Sequence, residues 1–272
     1  MFRIALAALL SAAVLGPGVN AKEINVSGST SVARLMDVLA EEFNNTHKDN
    51  YVAIQGIGST AGITMVKKGI SEIGMSSRYL TEGEKTEDLT LFPVAFDGLA
   101  IIVNHSNEVN NLSRQQLYDI YKGKITNWKD VGGADRQIAV VTREASSGSR
   151  YSFESLLGLT KVIGHHQVSD INQTNLVVNS NSMVKTIVNH NLHAIGFVSD
   201  GSVDASVKEL TFEGIAATPE NIAAKKYELA RPFLLLYKEE TLPKGGTEFI
   251  HFVGSERAKV LISQYGYIPA DK

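Results

Sequence analysis

The chain predicts an α/β fold of two lobes joined by two crossing strands, and three observations carry that expectation. Apolar strand patterns alternate with amphipathic helix patterns along most of its 272 residues, which argues for a mainly parallel sheet flanked by helices. Three times a strand pattern ends in a Gly/Ser/Thr loop that opens a helix: "GSTSV" at Gly28 to Val32, "GIGSTAG" at Gly56 to Gly62, and "SSGSR" at Ser146 to Arg150. Two long apolar runs, "LFPVAFDGLAIIVN" and "ARPFLLLYK", stand far apart with further α/β units between them, as two connecting strands would.

The elements follow in order. "MFRIALAALLSAAVLGPGVNAKE" reads as a secretory leader: Arg3 supplies the positive start, Ile4 to Leu15 the apolar run, and Val19-Asn20-Ala21 a small-residue cleavage site. The apolar run is too short to span a bilayer, so the mature chain is expected to begin near Lys22 and to be soluble in the periplasm. "EINVSGSTSVARLMDVLAEEFNN" is a strand, a turn and a helix whose Val32, Leu35, Met36, Leu39 and Phe43 share one face. "YVAIQGIGSTAGITMVKKGI" repeats that plan, and "SEIGMSSRYLT" gives a third short strand with a Ser-Ser-Arg loop. Past the first long apolar run come "RQQLYDIYKGKITNWKDVGG", "RQIAVVTREASSGSRYSFESLLG" and "HAIGFVSDG". The closing "GTEFIHFVGSERAKVLISQYGYIPA" reads as one or two helices with no new strand. On this layout residues 1–21 are the leader, 22–99 with 236–272 one lobe, and 100–235 the other.

Composition narrows the function. A net charge of −3 argues against nucleic acid or an anionic membrane surface as partner, since both call for basic stripes. No cysteine is present, which excludes disulfides, a thiolate nucleophile, thiolate metal sites and a lipidated cysteine after the leader. The seven histidines form no metal pattern: His190 and His193 lack an acidic or histidine partner at ligand spacing, and the adjacent His165 and His166 cannot chelate from one face. No Gly-x-Ser-x-Gly elbow is present for a hydrolase. "GIGSTA" has the glycine spacing of a dinucleotide loop, but Glu72 lies before the next strand instead of at its end, and no P-loop lysine follows.

The three turns point to an anion. Helix N-termini carry unpaired N–H groups and partial positive charge, and in open α/β sheets such loops gather at the carboxyl ends of the strands. A single Ser/Thr start is only a helix cap, but "TREASSGSR" adds Arg143 and Arg150 to the third. Arg143 ends a strand, where its planar fork could grip two oxygens of a tetrahedral anion; its alternative is a surface ion pair with Glu144. Arg150 suits a structural role. Arg78 could reach the anion or tie the lobes together. Asp97, one carboxylate within an apolar run, needs a partner if buried; it could accept a proton from a ligand that keeps one, as hydrogen phosphate does and sulfate does not, or cap a hinge turn.

At these residues the sequence resembles the periplasmic phosphate-binding proteins that feed phosphate ABC transporters. The resemblance runs from about Ile24 to the C-terminus through "GSTSV", "QGIGSTAGI", "IGMSSRYLTEGE", "DGLAIIVN", "YKGKITNWKDVGG", "REASSGSR", "IGFVSDG", "GIAATPENI" and "YGYIPA" in the family's order. It implies a two-lobed periplasmic-binding-protein fold of type II, with two mixed sheets, a monomer that closes on one inorganic phosphate. It implies phosphate contacts at Thr30, Ser31 and Ser59, and at Arg143, Ser147, Gly148 and Ser149. One branch of the family has an aspartate after the third strand as proton acceptor from phosphate; here Ser77 stands there, and Asp97 is expected to take over that task. The implied partners are the membrane permease subunits of the transporter. No cofactor, metal or catalysis is implied; a general sulfate or molybdate receptor and a secreted phosphatase are the alternatives.

Overall fold

The computed structural model describes residues 21–164 and 166–270, with only the backbone of His166. All of the expected leader except Ala21, and His165 between these ranges, lie outside the described residues. Strand β1 (Lys22–Gly28) leads into helix α1 (Thr30–Thr46), and β2 (Asn50–Gly56) into α2 (Ser59–Lys67). Strand β3 (Ile73–Ser76) and the 14-residue β4 (Thr90–Val103) follow. Next come β5 (Asn111–Leu112), α3 (Arg114–Lys122), β6 (Ala139–Arg143) and α4 (Gly148–Leu157). The hairpin β7 (Thr160–Ile163) and β8 (His166–Ser169) precedes β9 (Leu176–Val178), α5 (Asn181–His190) and β10 (Ala194–Ser199). Strand β11 (Lys208–Phe212), α6 (Pro219–Ala223), β12 (Ala230–Tyr237), α7 (Lys244–Val253), α8 (Glu256–Gln264) and β13 (Ile268–Pro269) complete the chain.

The α/β architecture is the expected one: eleven strands connect along the path β2-β1-β3-β12-β4-β10-β6-β9 with three short strands beside it, and β7 and β8 pair apart from them. The link between the two halves of that path is β4. Its first part, Thr90 to Gly98, pairs antiparallel with β12, and its last part, Leu99 to Val103, pairs antiparallel with β10. The strand thus changes partner between Gly98 and Leu99, and joins the part of the sheet around β12 to the part around β10. Parallel pairs flank it on both sides: β1 with β2 and β3, and β6 with β9 and β10. The C-terminal segment differs from expectation, because Ile268 and Pro269 add a short strand beside Phe96 and Ala95. Two residues are too few to leave an alternating pattern in the sequence.

Two large apolar clusters lie at either end of β4. One gathers Ile24, Val26, Leu35, Met36, Phe43, Ala95, Phe233 and Phe249; the other gathers Leu99 to Val103, Tyr121, Phe153, Phe197 and Phe212. Strand β12 is buried on both faces, its Phe233, Leu235 and Tyr237 in the first cluster and Leu234 and Leu236 in a smaller third one, as alternate side chains of an inner strand require. The apolar cores thus divide between Ala95 and Leu99 on β4, and between Ala230 and Phe233 on β12. Asp97 and Arg231, opposite each other in register, sit in that gap.

Helix starts are fixed locally. Ser29 caps α1 by accepting from the Val32 N–H at 3.3 Å, and Ser147 caps α4 by accepting from Arg150 N–H at 3.3 Å, each satisfying one of the unpaired donors of a helix start. The expected apolar face of α1 is buried: Val32, Leu35, Met36, Leu39 and Phe43.

Candidate functional site

The starts of α1, α2 and α4 converge where the two apolar clusters meet. Thr60 N–H donates to the Ser146 carbonyl at 3.2 Å, and the hydroxyls of Ser31 and Ser149 lie 3.1 Å apart. Gly148 opens α4 against Ser59 and Ser77. A Cβ at Gly148 would collide with Ser59 Oγ and come within 2.6 Å of Ser77 Oγ, so only glycine lets the backbone approach this closely. Gly58 has φ of 96° at the start of α2, with a would-be Cβ 2.5 Å from Ser146 Oγ. The loop after β3 joins them: Ser29 Oγ donates to Ser77 Oγ at 2.9 Å, and Ser77 N–H to Ser59 Oγ at 3.1 Å.

Arg143 ends β6 and is buried, and the ion pair with Glu144, its alternative reading, is present, joining a buried guanidinium to a partly exposed carboxylate. Its Nε and Nη2 meet the Glu144 carboxylate at 3.0 and 3.2 Å, Nη1 donates to Asn181 Oδ1 at 3.1 Å, and Nη2 also reaches Thr30 Oγ1 at 3.1 Å and the Asn179 carbonyl. Thr30 opens α1 and Arg143 ends β6, 113 residues apart in sequence, so this contact joins distant parts of the chain at the site.

Asp97 is buried and receives Arg231 Nε and Nη2 on Oδ2 at 3.0 and 2.9 Å and Ser199 Oγ on Oδ1 at 2.8 Å. Burial pushes its carboxyl up from the ordinary value, while Arg231, Ser199 and the Gly201 N–H pull it back. Burial likewise lowers Arg231, which stays cationic because a guanidinium does not lose its proton in proteins. Nη1 of Arg231 extends from this pair to Ser149 Oγ at 2.7 Å and the Ser77 carbonyl at 3.4 Å.

Every residue expected at the site therefore lies in one cluster: Thr30, Ser31, Ser59, Ser77, Arg143, Ser147, Gly148 and Ser149 at its front, Asp97 one side chain behind. Two outlying arginines are engaged elsewhere. Arg150 binds Glu154, the Arg143 carbonyl and Ser169. Arg78 forks onto Glu84 with two 2.7 Å bonds, reaches Thr60 Oγ1, and stacks 4.7 Å from the Tyr151 ring of α4, so it ties the α2 and α4 sides together. Sequence reading missed Arg231 and Asn181. Arg231 had a visible signal, a lone cation opening one apolar crossing run as Asp97 is the lone anion of the other. Asn181 had none, being one of many asparagines beside a helix start.

Residues 15–257 match the family model of the PBP superfamily domain. The chain is 61% identical to an ABC-type phosphate transport receptor from Vibrio cholerae, covering 90% of this chain and 99% of that one with a TM-score of 0.77. A phosphate ABC transporter substrate-binding protein with bound phosphate from Clostridium perfringens, described as putative, is 39% identical over 92% of this chain and all of its own, with a TM-score of 0.86. The less identical, phosphate-bound structure thus superposes more closely. The phosphate-binding protein PstS of Borreliella burgdorferi is 29% identical over 92% of this chain and 90% of its own length. The chain belongs to the PBP superfamily, in the family of these ABC-type phosphate transport receptors.

Proposed function

We propose that this protein captures inorganic phosphate in the cleft where α1, α2 and α4 begin, and delivers it to the permease subunits of a phosphate ABC transporter. The observation that carries the reading is the convergence of three helix N-termini on one buried arginine. Backbone N–H groups and hydroxyls of Thr30, Ser31, Ser59, Ser77, Ser147, Gly148 and Ser149 supply neutral donors, and Arg143 supplies charge. The lobes around the two apolar clusters close on the anion from both sides, and phosphate favours the closed state by the extra bonds it makes there. Both the phosphate-bound relative and the more identical transport receptor support this ligand.

The mature protein on this reading is an exported monomer that starts near Lys22 and acts as a receptor, without catalysing a reaction. No helix among the described residues is long and apolar enough to cross a membrane. The test is calorimetric titration of the phosphate-stripped mature protein with phosphate, with sulfate as competitor across pH. Tight one-to-one phosphate binding that sulfate does not displace is the expected result. Equal binding of the two would make the protein a general oxyanion receptor, and binding of neither would overturn the site.

A further inference from the structure

Resting on the phosphate reading, the hydrogen bonds behind the cleft carry one step more. We propose that Arg231, anchored by Asp97, is a positioning residue that orients the Ser149 hydroxyl as a donor to the anion, and that Asn181, by donating to Ser31, turns the Ser31 hydrogen toward Ser149. A hydroxyl has one hydrogen to give and two lone pairs with which to receive. Arg231 Nη1 donates to Ser149 Oγ at 2.7 Å, and Asn181 Nδ2 donates to Ser31 Oγ at 3.0 Å. Neither bond can run the other way. A guanidinium only donates, and the Asn181 amide is fixed by Arg143, whose Nη1 must find an oxygen and takes Oδ1 at 3.1 Å.

Each serine therefore receives one hydrogen and keeps its own to give. The two oxygens are 3.1 Å apart, so one hydrogen bridges them and the other is left for a ligand. Thr30 repeats the arrangement, its Oγ1 receiving Arg143 Nη2 at 3.1 Å. A cavity front whose hydroxyls are all filled from behind offers hydrogens to whatever enters, which is what an oxyanion needs.

The same accounting defines Asp97. A carboxylate offers about four acceptor positions, and Asp97 receives Arg231 Nε and Nη2 on Oδ2 and Ser199 Oγ on Oδ1. With Oδ2 filled and the residue 1% exposed, little of the carboxylate is open to a ligand hydroxyl. Asp97 acts on the anion through Arg231 and Ser149, in place of accepting the ligand's proton.

Calorimetry with phosphate and with sulfate on the whole mature protein tests this, using Asp97→Asn, Arg231→Gln, Ser149→Ala and their pairwise combinations. Arg231→Gln and Asp97→Asn should each weaken phosphate by about tenfold to a hundredfold, with sulfate gaining nothing relative to phosphate. On top of Ser149→Ala, Arg231→Gln should cost almost nothing further, a non-additivity that general damage to the fold would not produce. The neutral Asp97→Asn, Arg231→Gln pair avoids a stranded buried charge, and its thermal melt checks folding. Two results would overturn the proposal: sulfate binding that rises in Asp97→Asn while phosphate falls, or an Arg231→Gln loss that is undiminished by Ser149→Ala. Failure of the unmutated protein to bind phosphate would instead remove the receptor reading itself.

Discussion

Arg143 and Arg231 are both buried beside the cleft, and each is paired with a carboxylate, yet the pairs differ in kind. Glu144 is the next residue in the chain and retains 24% of its exposure, whereas Asp97 is 1% exposed and 134 residues away. Arg143 spreads its donors over Glu144, Asn181, Thr30 and Asn179. Arg231 commits two of its nitrogens to one carboxylate oxygen. On the proposed reading the first arginine can exchange donors with a ligand, because its partner carboxylate is one that water can still reach. The second is locked, because releasing it would leave a buried charge uncompensated. On the proposed reading one residue type serves as a grip in one place and as a fixed support in the other, and the solvent access of its carboxylate separates the two.

The largest effect expected from breaking this comparison is on binding. Arg143→Ala should weaken phosphate by about a hundredfold or more, as truncation of a buried charged donor does, while the fold persists; near-normal affinity in calorimetry would remove Arg143 from the site. Stability should show the reverse order. Arg231→Met strands the Asp97 carboxylate and should cost about 3–5 kcal/mol in urea unfolding. Arg143→Met should cost clearly less because Glu144 can rehydrate, and equal losses would erase the distinction drawn between the two pairs.

Gly148→Ala sharpens the geometry between them. The added methyl meets Ser59 and Ser77, so it should hold α4 away from α2, cost about 1–3 kcal/mol of stability and lower phosphate affinity by about tenfold. Unchanged affinity would mean that the helix starts need not come this close. The smallest effect concerns the Arg231 side alone. Asp200 is pushed up to about 8 by burial, with Glu209 and Asp97 adding repulsion. The fold therefore keeps a proton there that the unfolded chain releases near its ordinary 3.8, so this residue costs stability progressively as pH rises from about 4 to about 8. Asp200→Asn should raise Tm by roughly 2–4 °C at pH 8 and leave it unchanged at pH 4. An equal gain at both pH values would show that the carboxyl does not titrate in this range.

Much of the site was legible because it is built from local signals. A Ser/Thr/Gly cluster between an apolar strand and an amphipathic helix announces a helix start, and the three such clusters are the ones that meet. Arg143 was visible as a charge at the end of a strand, and Asp97 as a charge inside an apolar run. Arg231 escaped although it carries the same signal as Asp97, since an arginine at the start of a strand has an ordinary reading as a solvated end. Two lobes were expected from the two apolar runs, and those runs are β4 and β12, with β4 changing partner from β12 to β10 at Gly98 and Leu99.

What the sequence determined by itself is what short range determines: caps at Ser29 and Ser147 whose partners lie three residues on, the buried face of α1, and the alternation of strand and helix. Tertiary structure alone decided that Arg231 takes Asp97 and that Ser31 meets Ser149 across 118 residues. The physical reason is that a cap is chosen by the backbone beside it. The partner of a buried side chain is set by whichever groups the fold places beside it, and those come from strands and helices that only folding brings together.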